Sequence, residues 1–198
     1  MQKKFKQKFT YFDLYDATVR GLRAFPWLVI NRIQKTVSND LIERLMLATT
    51  EVNGCEVCSY AHTQIALKQG FSKDEIDAFL SGSKAYVHAE EATAILFAQH
   101  YADSKARPDL EAYLQLQTSY GKKQANIMLS GIQMMMMANI QGVSLSALIA
   151  RFKGKSYSDS SLFYELSMLL LEPIFIVFGL IHALLLAIFR RPRFVSKK

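Results

Sequence analysis

Two cysteines three residues apart are the part of this sequence best suited to chemistry. The chain has 198 residues, and its two cysteines are Cys55 and Cys58. Residues at positions i and i+3 share one face of a helix, so the two sulfurs can come close enough for a disulfide. Such a pair can cycle between dithiol and disulfide when it meets a peroxide or another thiol. The spacing therefore predicts a redox-active pair.

The residues before the cysteines predict where their helix begins. Asn53–Gly54 is a turn and helix-stop signal, so a new helix is expected to start near Cys55. Backbone N–H groups and the helix dipole stabilise a thiolate in a first helical turn. The thiolate is the reactive form of cysteine, so this position favours reactivity.

A histidine and a glutamate can assist the cysteines. His62 lies four residues after Cys58, on the same helical face, and an imidazole can accept or relay a thiol proton near neutral pH. Glu43 belongs to the preceding helix and completes a relay if the two helices pack antiparallel across the turn. The candidate catalytic residues are therefore Cys55, Cys58, His62 and Glu43.

Other interpretations of the cysteine pair lead to different chemistry. A C-x-x-C sequence can be half of a zinc site, with His62 as a third ligand. The fourth ligand would have to come from histidines without a paired spacing: His88, His100 or His182. The two thiols could also be small buried side chains beside a satisfied histidine. A thioredoxin domain would need a βαβ pattern that this sequence lacks. We expect no metal and no bound cofactor.

Composition and periodicity predict an all-α protein. Proline and glycine are sparse, at four and nine residues, and helix-period segments dominate. The predicted helices cover roughly residues 10–35, 38–51, 55–68, 72–80, 88–104, 109–119 and 122–152. We expect a kink or break before Pro26, and a capping box formed by Ser72 and Glu75.

Basic residues are concentrated at the two ends of the chain, whose formal net charge is +7. They are Lys3, Lys4, Lys6 and Lys8 near the start and Arg190, Arg191, Arg193, Lys197 and Lys198 near the end. No zinc finger, RNA-binding signature or basic recognition helix accompanies them, so nucleic acid is not an expected partner. No signal peptide is recognisable, which together with the cysteine usage predicts a reducing, cytoplasmic location.

The last part of the chain differs sharply in composition. A predicted domain over residues 1–155 is followed by a small polar linker, 156–161, and by a hydrophobic extension with a basic tail, 162–198. Within that extension, the seventeen residues 173–189 contain no formal charge if His182 is neutral. Seventeen residues is close to the minimum length of a helix that spans a bilayer. Two basic residues follow directly, as expected for a positive-inside flank.

Several arrangements of the hydrophobic extension are open. A single span cannot leave both a cytoplasmic domain and the basic tail on one side of a membrane. An interfacial or re-entrant helix, or a pair of short helices broken at Pro173, would resolve this conflict. The other interpretation is a helix buried between the subunits of an oligomer. The segment 162–189 is therefore expected to contact either a membrane or another subunit.

The stretch E-R-L-M-L-A-T-T-E-V-N-G-C-E-V-C-S-Y-A-H-T resembles the core motif of the carboxymuconolactone decarboxylase / AhpD-like alkyl hydroperoxidase family. Glu43 stands twelve positions before Cys55, and His62 stands four after Cys58, in agreement with the family pattern. The resemblance extends over about residues 25–155, with Asn139 at the position of the usual Asn. The decarboxylase branch lacks the cysteine pair, so the peroxidase-type branch is indicated.

The resemblance implies a fold and an activity. AhpD-like proteins are all-α helical bundles that form homo-oligomers and reduce hydroperoxides with a dithiol or lipoyl-type reductant. Carried over by position, Cys58 would be the attacking thiolate, Cys55 the resolving thiol, and His62 with Glu43 the proton relay. The position at the helix start would by itself favour Cys55 as the attacker, so the order of the cysteines is open.

Two other functions remain compatible with the sequence. One is a redox-sensing interaction protein in which the C-x-x-C pair switches an assembly. The other is a small-molecule-binding bundle without turnover.

Overall fold

The computed structural model describes residues 3–194, and this part of the chain contains seven α-helices and no strand. The helices are α1 Tyr11–Gln34, α2 Asn39–Asn53, α3 Glu56–Gln69, α4 Lys73–Leu80, α5 Ala92–Asp103, α6 Leu110–Phe152 and α7 Leu162–Ile188. The all-α prediction and the hydrophobic C-terminal helix are confirmed. Lys197 and Lys198 of the predicted basic tail lie outside the described residues.

The long helix α6 forms the centre of the bundle. It packs against α1, α2, α3, α5 and α7. Its second half is buried through a run of apolar and methionine side chains that includes Ile127, Met128, Leu129, Ile132, Met135 and Met136. The helix is interrupted at Gly121, whose φ of 78° and ψ of 156° are not helical. This is the boundary predicted from the sequence, and it lets the two halves of α6 take different directions.

Helix α1 continues through Pro26, so of the kink or break predicted there the break is wrong, and the kink stays a prediction. The helix starts at a capping box formed by Thr10 and Asp13 and runs without interruption to Gln34. An internal proline removes one backbone hydrogen bond and costs about 3 kcal/mol. Pro26 is exposed, so its ring points away from the core. Contacts of α1 with α6 and α7 provide the packing that keeps this helix continuous.

Helices α2 and α3 form a tight pair joined at Gly54. Gly54 ends α2 in the left-handed conformation, with φ of 70°, and its N–H donates to the Thr50 carbonyl oxygen at 2.9 Å. A Cβ atom there would lie 2.6 Å from Cβ of Lys6, so both the backbone and the neighbouring chain require glycine. The next residue, Cys55, is already the N-cap of α3.

Helix α4 has one of the two hydrogen bonds of the predicted capping box. The Ser72 side chain accepts a hydrogen bond from the Glu75 N–H at 3.1 Å, as expected for an N-cap. The reciprocal bond of a capping box is absent from the described contacts, because the Glu75 carboxylate pairs with Arg44 of α2 at 2.9 Å. Glu75 therefore fastens α4 to α2.

Helix α7 is one continuous helix through Pro173, so the interpretation as two short helices broken there is wrong. It packs along α1 and α6. The segment before it is not helical, yet Tyr157 in that segment is buried and its ring lies 5.0 Å from the ring of Phe5. The predicted division into domain, linker and extension stays a prediction.

By length and hydropathy alone, two helices could cross a membrane. The most apolar window of α6 is 61% buried inside the protein, whereas that of α7 is 17% buried. A buried core helix passes the same test, and most of the α6 window is buried. The apolar surface of α7 is mostly exposed.

Candidate functional site

The two cysteines are joined by a disulfide at the start of α3. Their Cα atoms lie 5.3 Å apart. Cys55 is the N-cap residue, and its sulfur accepts a hydrogen bond from the Cys58 N–H at 3.2 Å. One sulfur of the pair therefore sits at the positive end of the helix dipole, where a thiolate is stabilised.

His62 and Glu43 form a direct hydrogen bond across the α2–α3 pair. Nδ1 of His62 lies 2.6 Å from Oε1 of Glu43. The Glu43 side chain is buried, and the His62 side chain is 16% exposed. A carboxylate can accept a hydrogen bond from Nδ1–H, and in that tautomer Nε2 carries a lone pair that can take a proton from another group.

An open cleft of about 300 Å³ connects the histidine with one cysteine. Its walls are formed by residues of α3, α6 and α7: Val57, Cys58, Ala61, His62, Met135, Ala138, Gln141, Gly142, Leu145 and Leu169. Cys58 keeps 8% of its surface exposed, whereas Cys55 is fully buried behind it. A molecule that enters this cleft therefore meets Cys58 and His62 together.

The comparison with known protein families identifies the segment that builds this site. Residues 17–100 match the family model described as Carboxymuconolactone decarboxylase family. This carboxymuconolactone decarboxylase segment, residues 17–100, is similar to that family. The family includes AhpD-like proteins, so the resemblance stated from the motif is confirmed over these residues. Searches of curated proteins and of solved structures found no match.

The carboxymuconolactone decarboxylase segment contains all four candidate residues, and the structure brings them together on α2 and α3. The match ends at residue 100, before α6 and α7 begin. The far wall of the cleft therefore comes from a part of the chain that the family match does not cover.

Gly142 on α6 is a site residue that the sequence analysis missed. A Cβ atom at this position would lie 2.3 Å from the sulfur of Cys55 and 2.5 Å from the sulfur of Cys58. The disulfide thus rests directly on the α6 backbone, which requires a residue without a side chain. The cluster of small residues between 142 and 147, within a helix rich in Met and Leu, was the available signal.

Ser146, one turn further along α6, holds the first turn of α3. Its hydroxyl accepts a hydrogen bond from the Val57 N–H at 3.2 Å and donates to the Gly142 carbonyl at 2.6 Å. This bond satisfies one of the N–H groups left free at a helix start. The carbonyl oxygen of Ala138 lies 3.7 Å from the Cys58 sulfur and can accept a hydrogen bond from its thiol once the pair is reduced.

Two polar contacts fix α2 against α6 behind the disulfide. The Thr50 hydroxyl donates to Oδ1 of Asn139 at 3.2 Å, and Nδ2 of Asn53 donates to the Met136 sulfur at 3.1 Å. Thr50, Asn53 and Asn139 have no exposed surface. Buried polar contacts of this kind set the register between two helices, and hence the position of the α6 wall relative to the carboxymuconolactone decarboxylase segment.

No group of three His, Cys, Asp or Glu side chains in residues 3–194 is arranged to hold a metal ion. Of the histidines considered as further zinc ligands, His100 accepts a hydrogen bond from the Asp109 N–H, and His182 pairs with Tyr15.

Proposed function

We propose that this protein is a thiol-dependent peroxidase that reduces hydroperoxides through the Cys55–Cys58 pair, with His62 and Glu43 as its proton relay. The observation that carries the proposal is the shared cleft of Cys58 and His62, with the imidazole oriented by the buried Glu43. The family match supports it, because AhpD-like peroxidases belong to that family.

The oxidising half of the reaction begins at Cys58. His62 Nε2 takes the thiol proton, and the thiolate attacks the peroxide oxygen that carries hydrogen. The O–O bond breaks, an S–O bond forms, and the alkoxide takes the proton back from the imidazole to leave as an alcohol. Cys58 is now a sulfenic acid. Cys55 condenses with it, which forms the disulfide and releases water.

Access and electrostatics support different tasks for the two cysteines. Cys58 lies on the cleft, whereas Cys55 is fully buried, so a peroxide reaches Cys58. The amide N–H that caps the Cys55 sulfur stabilises its thiolate, as does the helix start. A thiolate is what the resolving step needs, so the helix-start argument fits Cys55 as the resolving residue.

The same arrangement suits the reducing half of the reaction. A dithiol or lipoyl-type reductant would attack the accessible Cys58 sulfur, and Cys55 would leave as the stabilised thiolate. Leaving groups of lower pKa depart faster in thiol–disulfide exchange. The second thiol of the reductant then releases Cys58. The sum is hydroperoxide plus dithiol giving alcohol, water and disulfide. We place this cycle in the cytoplasm, and the homo-oligomer stays a prediction.

Peroxide consumption by the reduced protein tests the proposal. With a soluble alkyl hydroperoxide and excess dithiol, we expect turnover in the wild type and none in Cys58→Ser. His62→Ala should slow the reaction roughly 10²- to 10⁴-fold, as for loss of a general acid–base group. His88→Ala, at an exposed histidine outside the cleft, is the matched control and should keep the wild-type rate. An unchanged rate in Cys58→Ser contradicts the proposal.

The same experiment separates the other two functions. A single oxidation without turnover, accompanied by a change in oligomer size, would indicate a redox sensor. A pair that does not react with the hydroperoxide at all would indicate a binding protein.

A further inference from the structure

The outward surface of α7 is an apolar face along the whole helix. Its exposed large side chains include Phe163, Leu166, Leu170, Ile174, Val177, Phe178, Leu180, Ile181, Leu184 and Ile188. The sequence between Pro173 and Phe189 contains no Asp, Glu, Lys or Arg. A helix of 27 residues is about 40 Å long, so this face exceeds the apolar patches that monomeric proteins ordinarily expose.

The two glutamates of α7 are buried on the side that faces the protein, and the exposed His182 is paired with a residue of α1. The Glu165 carboxylate binds Arg151 at 2.7 Å. Glu172 accepts a hydrogen bond from the Thr18 hydroxyl at 3.0 Å. His182 Nδ1 lies 3.1 Å from the Tyr15 hydroxyl. The α7 face therefore presents mostly hydrocarbon, and its two carboxyl groups are bonded on the protein side of the helix.

Contacts at both ends of α7 rule out a membrane span by this helix in this fold. Near its start, the Ser167 hydroxyl lies 2.7 Å from that of Tyr11. After its end, the guanidinium of Arg23 donates to the carbonyl oxygens of Arg191 and Pro192. Helix α1 lies between these points and carries charged residues, so it would have to enter the bilayer as well. The α7 face can instead lie in the plane of a membrane surface.

Basic residues flank α7 on both sides along the sequence. Arg190 and Arg191 follow its last turn, and Lys153 and Lys155 precede its first turn beside the exposed Phe152. Anionic headgroups attract such clusters. A second copy of the chain paired along this face, whether parallel or antiparallel, would bring basic ends against basic ends. Charge therefore favours an anionic bilayer over a second copy.

The α7 face reaches the cleft that holds the reactive cysteine. Leu169 of α7 lines that cleft together with Cys58 and His62. Leu166 and Pro173, one turn before and after Leu169 on the same side of the helix, are exposed. Across the cleft, Leu145 of α6 is 38% exposed. The cysteine cleft thus opens beside the hydrocarbon surface, with apolar walls suited to an acyl chain.

We propose that the α7 face lies on an anionic bilayer and that the substrate is a lipid hydroperoxide, whose oxidised acyl chain enters the cleft past Leu169. This inference rests on the proposed peroxidase function. The acyl –OOH group would become –OH, its second oxygen would leave as water, and the two electrons would come from the Cys55–Cys58 dithiol. The external dithiol would then restore the pair.

Vesicles and a soluble peroxide together test the inference. The full-length protein is mixed with vesicles of phosphatidylcholine and phosphatidylglycerol that contain phospholipid hydroperoxide. Binding is measured by flotation, and peroxide loss is compared with that of a soluble alkyl hydroperoxide. A triple variant changes exposed leucines of the α7 face to Gln: Leu170, Leu180 and Leu184. Its matched control changes three leucines of similar exposure on α5 and the start of α6: Leu96, Leu110 and Leu114.

We expect the wild type and the control to bind the vesicles and reduce the lipid hydroperoxide. The α7 triple variant should lose at least about tenfold in both, because apolar burial is removed, and should keep the soluble reaction. Equal vesicle activity in the two triple variants overturns the inference and leaves the peroxidase function standing. The inference is also overturned if the wild type is a dimer that does not bind vesicles and if the α7 triple variant is a monomer. If the wild type reduces neither the lipid hydroperoxide nor the soluble hydroperoxide, the peroxidase function is overturned as well.

Discussion

At the scale of single residues, the site depends on one sulfur that has two tasks. The Cys55 sulfur caps α3 and also forms half of the disulfide. The backbone N–H of Cys58, which donates to this sulfur at the start of α3, would also stabilise the Cys55 thiolate released on reduction. His62 gains its orientation in a comparable way, from one short hydrogen bond to a buried carboxylate. Both effects come from atoms next to the reacting groups.

Gly142 gives a prediction at this scale. Gly142→Ala would place a methyl group 2.3 and 2.5 Å from the two sulfurs, so the disulfide and α6 must move apart. We expect the oxidised protein to lose about 1–3 kcal/mol of unfolding free energy, as overpacked cores do. Denaturant unfolding of the oxidised form measures this loss.

Gly131→Ala on the same helix is the matched control. Its added methyl would meet Ile42 at 3.3 Å, which a small shift of that side chain can accommodate. Replacing glycine by alanine within a helix gains up to about 1 kcal/mol. Gly131→Ala should therefore be neutral or stabilising. Equal effects of the two substitutions would mean that the disulfide does not rest on Gly142.

At the scale of elements, α2 and α3 build most of the site as a hairpin. Their boundary follows from local signals, because Asn53–Gly54 ends one helix and the next residue caps the other. The placement of α6 against them does not follow from local signals. It depends on buried contacts such as Thr50 with Asn139 and on the small residue at 142. Contacts of this kind between distant residues are hard to predict from a single sequence.

Two glutamates on α7 have pKa values shifted in opposite directions. Burial raises the pKa of Glu165, but hydrogen bonds from Arg151 and Ser160 outweigh this effect and hold the pKa below the ordinary 4.5. Burial also raises the pKa of Glu172, and there the hydrogen bonds from Thr18 and Gln141 are too weak to reverse it. The fold thus favours the charged form of Glu165 and disfavours the charged form of Glu172.

Substitution of each glutamate by Gln should therefore change stability in opposite directions. The Glu165 contribution is present above pH 4.5 and is lost as pH falls through its lowered folded pKa. The folded state binds the Glu172 proton more tightly, so its charge opposes folding as pH rises above 4.5. At neutral pH, Glu165→Gln should unfold more easily than the wild type, and Glu172→Gln less easily.

Urea unfolding at neutral pH and well below pH 4.5 measures these differences. Both should shrink in acid, since the wild-type carboxyl groups are then protonated in the unfolded state and increasingly so in the folded state. Each variant serves as the control for the other, because both change one carboxyl to an amide on the same helix. A loss of stability at neutral pH in Glu172→Gln would contradict the assignment.

At the scale of the whole molecule, the cleft lies where three parts of the chain meet. The carboxymuconolactone decarboxylase segment supplies the candidate catalytic groups, α6 supplies one wall, and α7 supplies the apolar edge. The basic residues at the ends of α7 suit an anionic surface beside that edge. Under the membrane proposal, charge holds the protein at the bilayer and α7 provides the hydrophobic contact.

Charge removal at the end of α7 gives a prediction for vesicle binding. Each basic residue near an anionic membrane contributes about 1 kcal/mol, so changing Arg190 and Arg191 to Gln should weaken binding by about 2 kcal/mol, roughly 30-fold. Lys122→Gln with Lys123→Gln removes two exposed charges from α6 and is the matched control. Flotation at several salt concentrations measures both variants. Equal losses would show that net charge, and not the α7 end, governs binding.

The sequence by itself determined the helical class, most helix boundaries and the four candidate residues. These follow from periodicity, from turn signals such as Asn53–Gly54, and from spacings within two adjacent helices. The exceptions are instructive. Helices α1 and α7 continue through Pro26 and Pro173 because packing compensates for the missing hydrogen bond, which a local rule does not include.

The tertiary structure decided which cysteine faces the cleft, which glycine supports the disulfide, and where the apolar face of α7 lies. Cys58 keeps 8% of its surface exposed and Cys55 none, and the α6 backbone that lies against both sulfurs is 80 or more residues away along the chain. The side of α7 that turns inward is set by partners such as Arg151 and Thr18. Contacts between distant residues depend on the packed arrangement of all the helices, and no single stretch of sequence contains them.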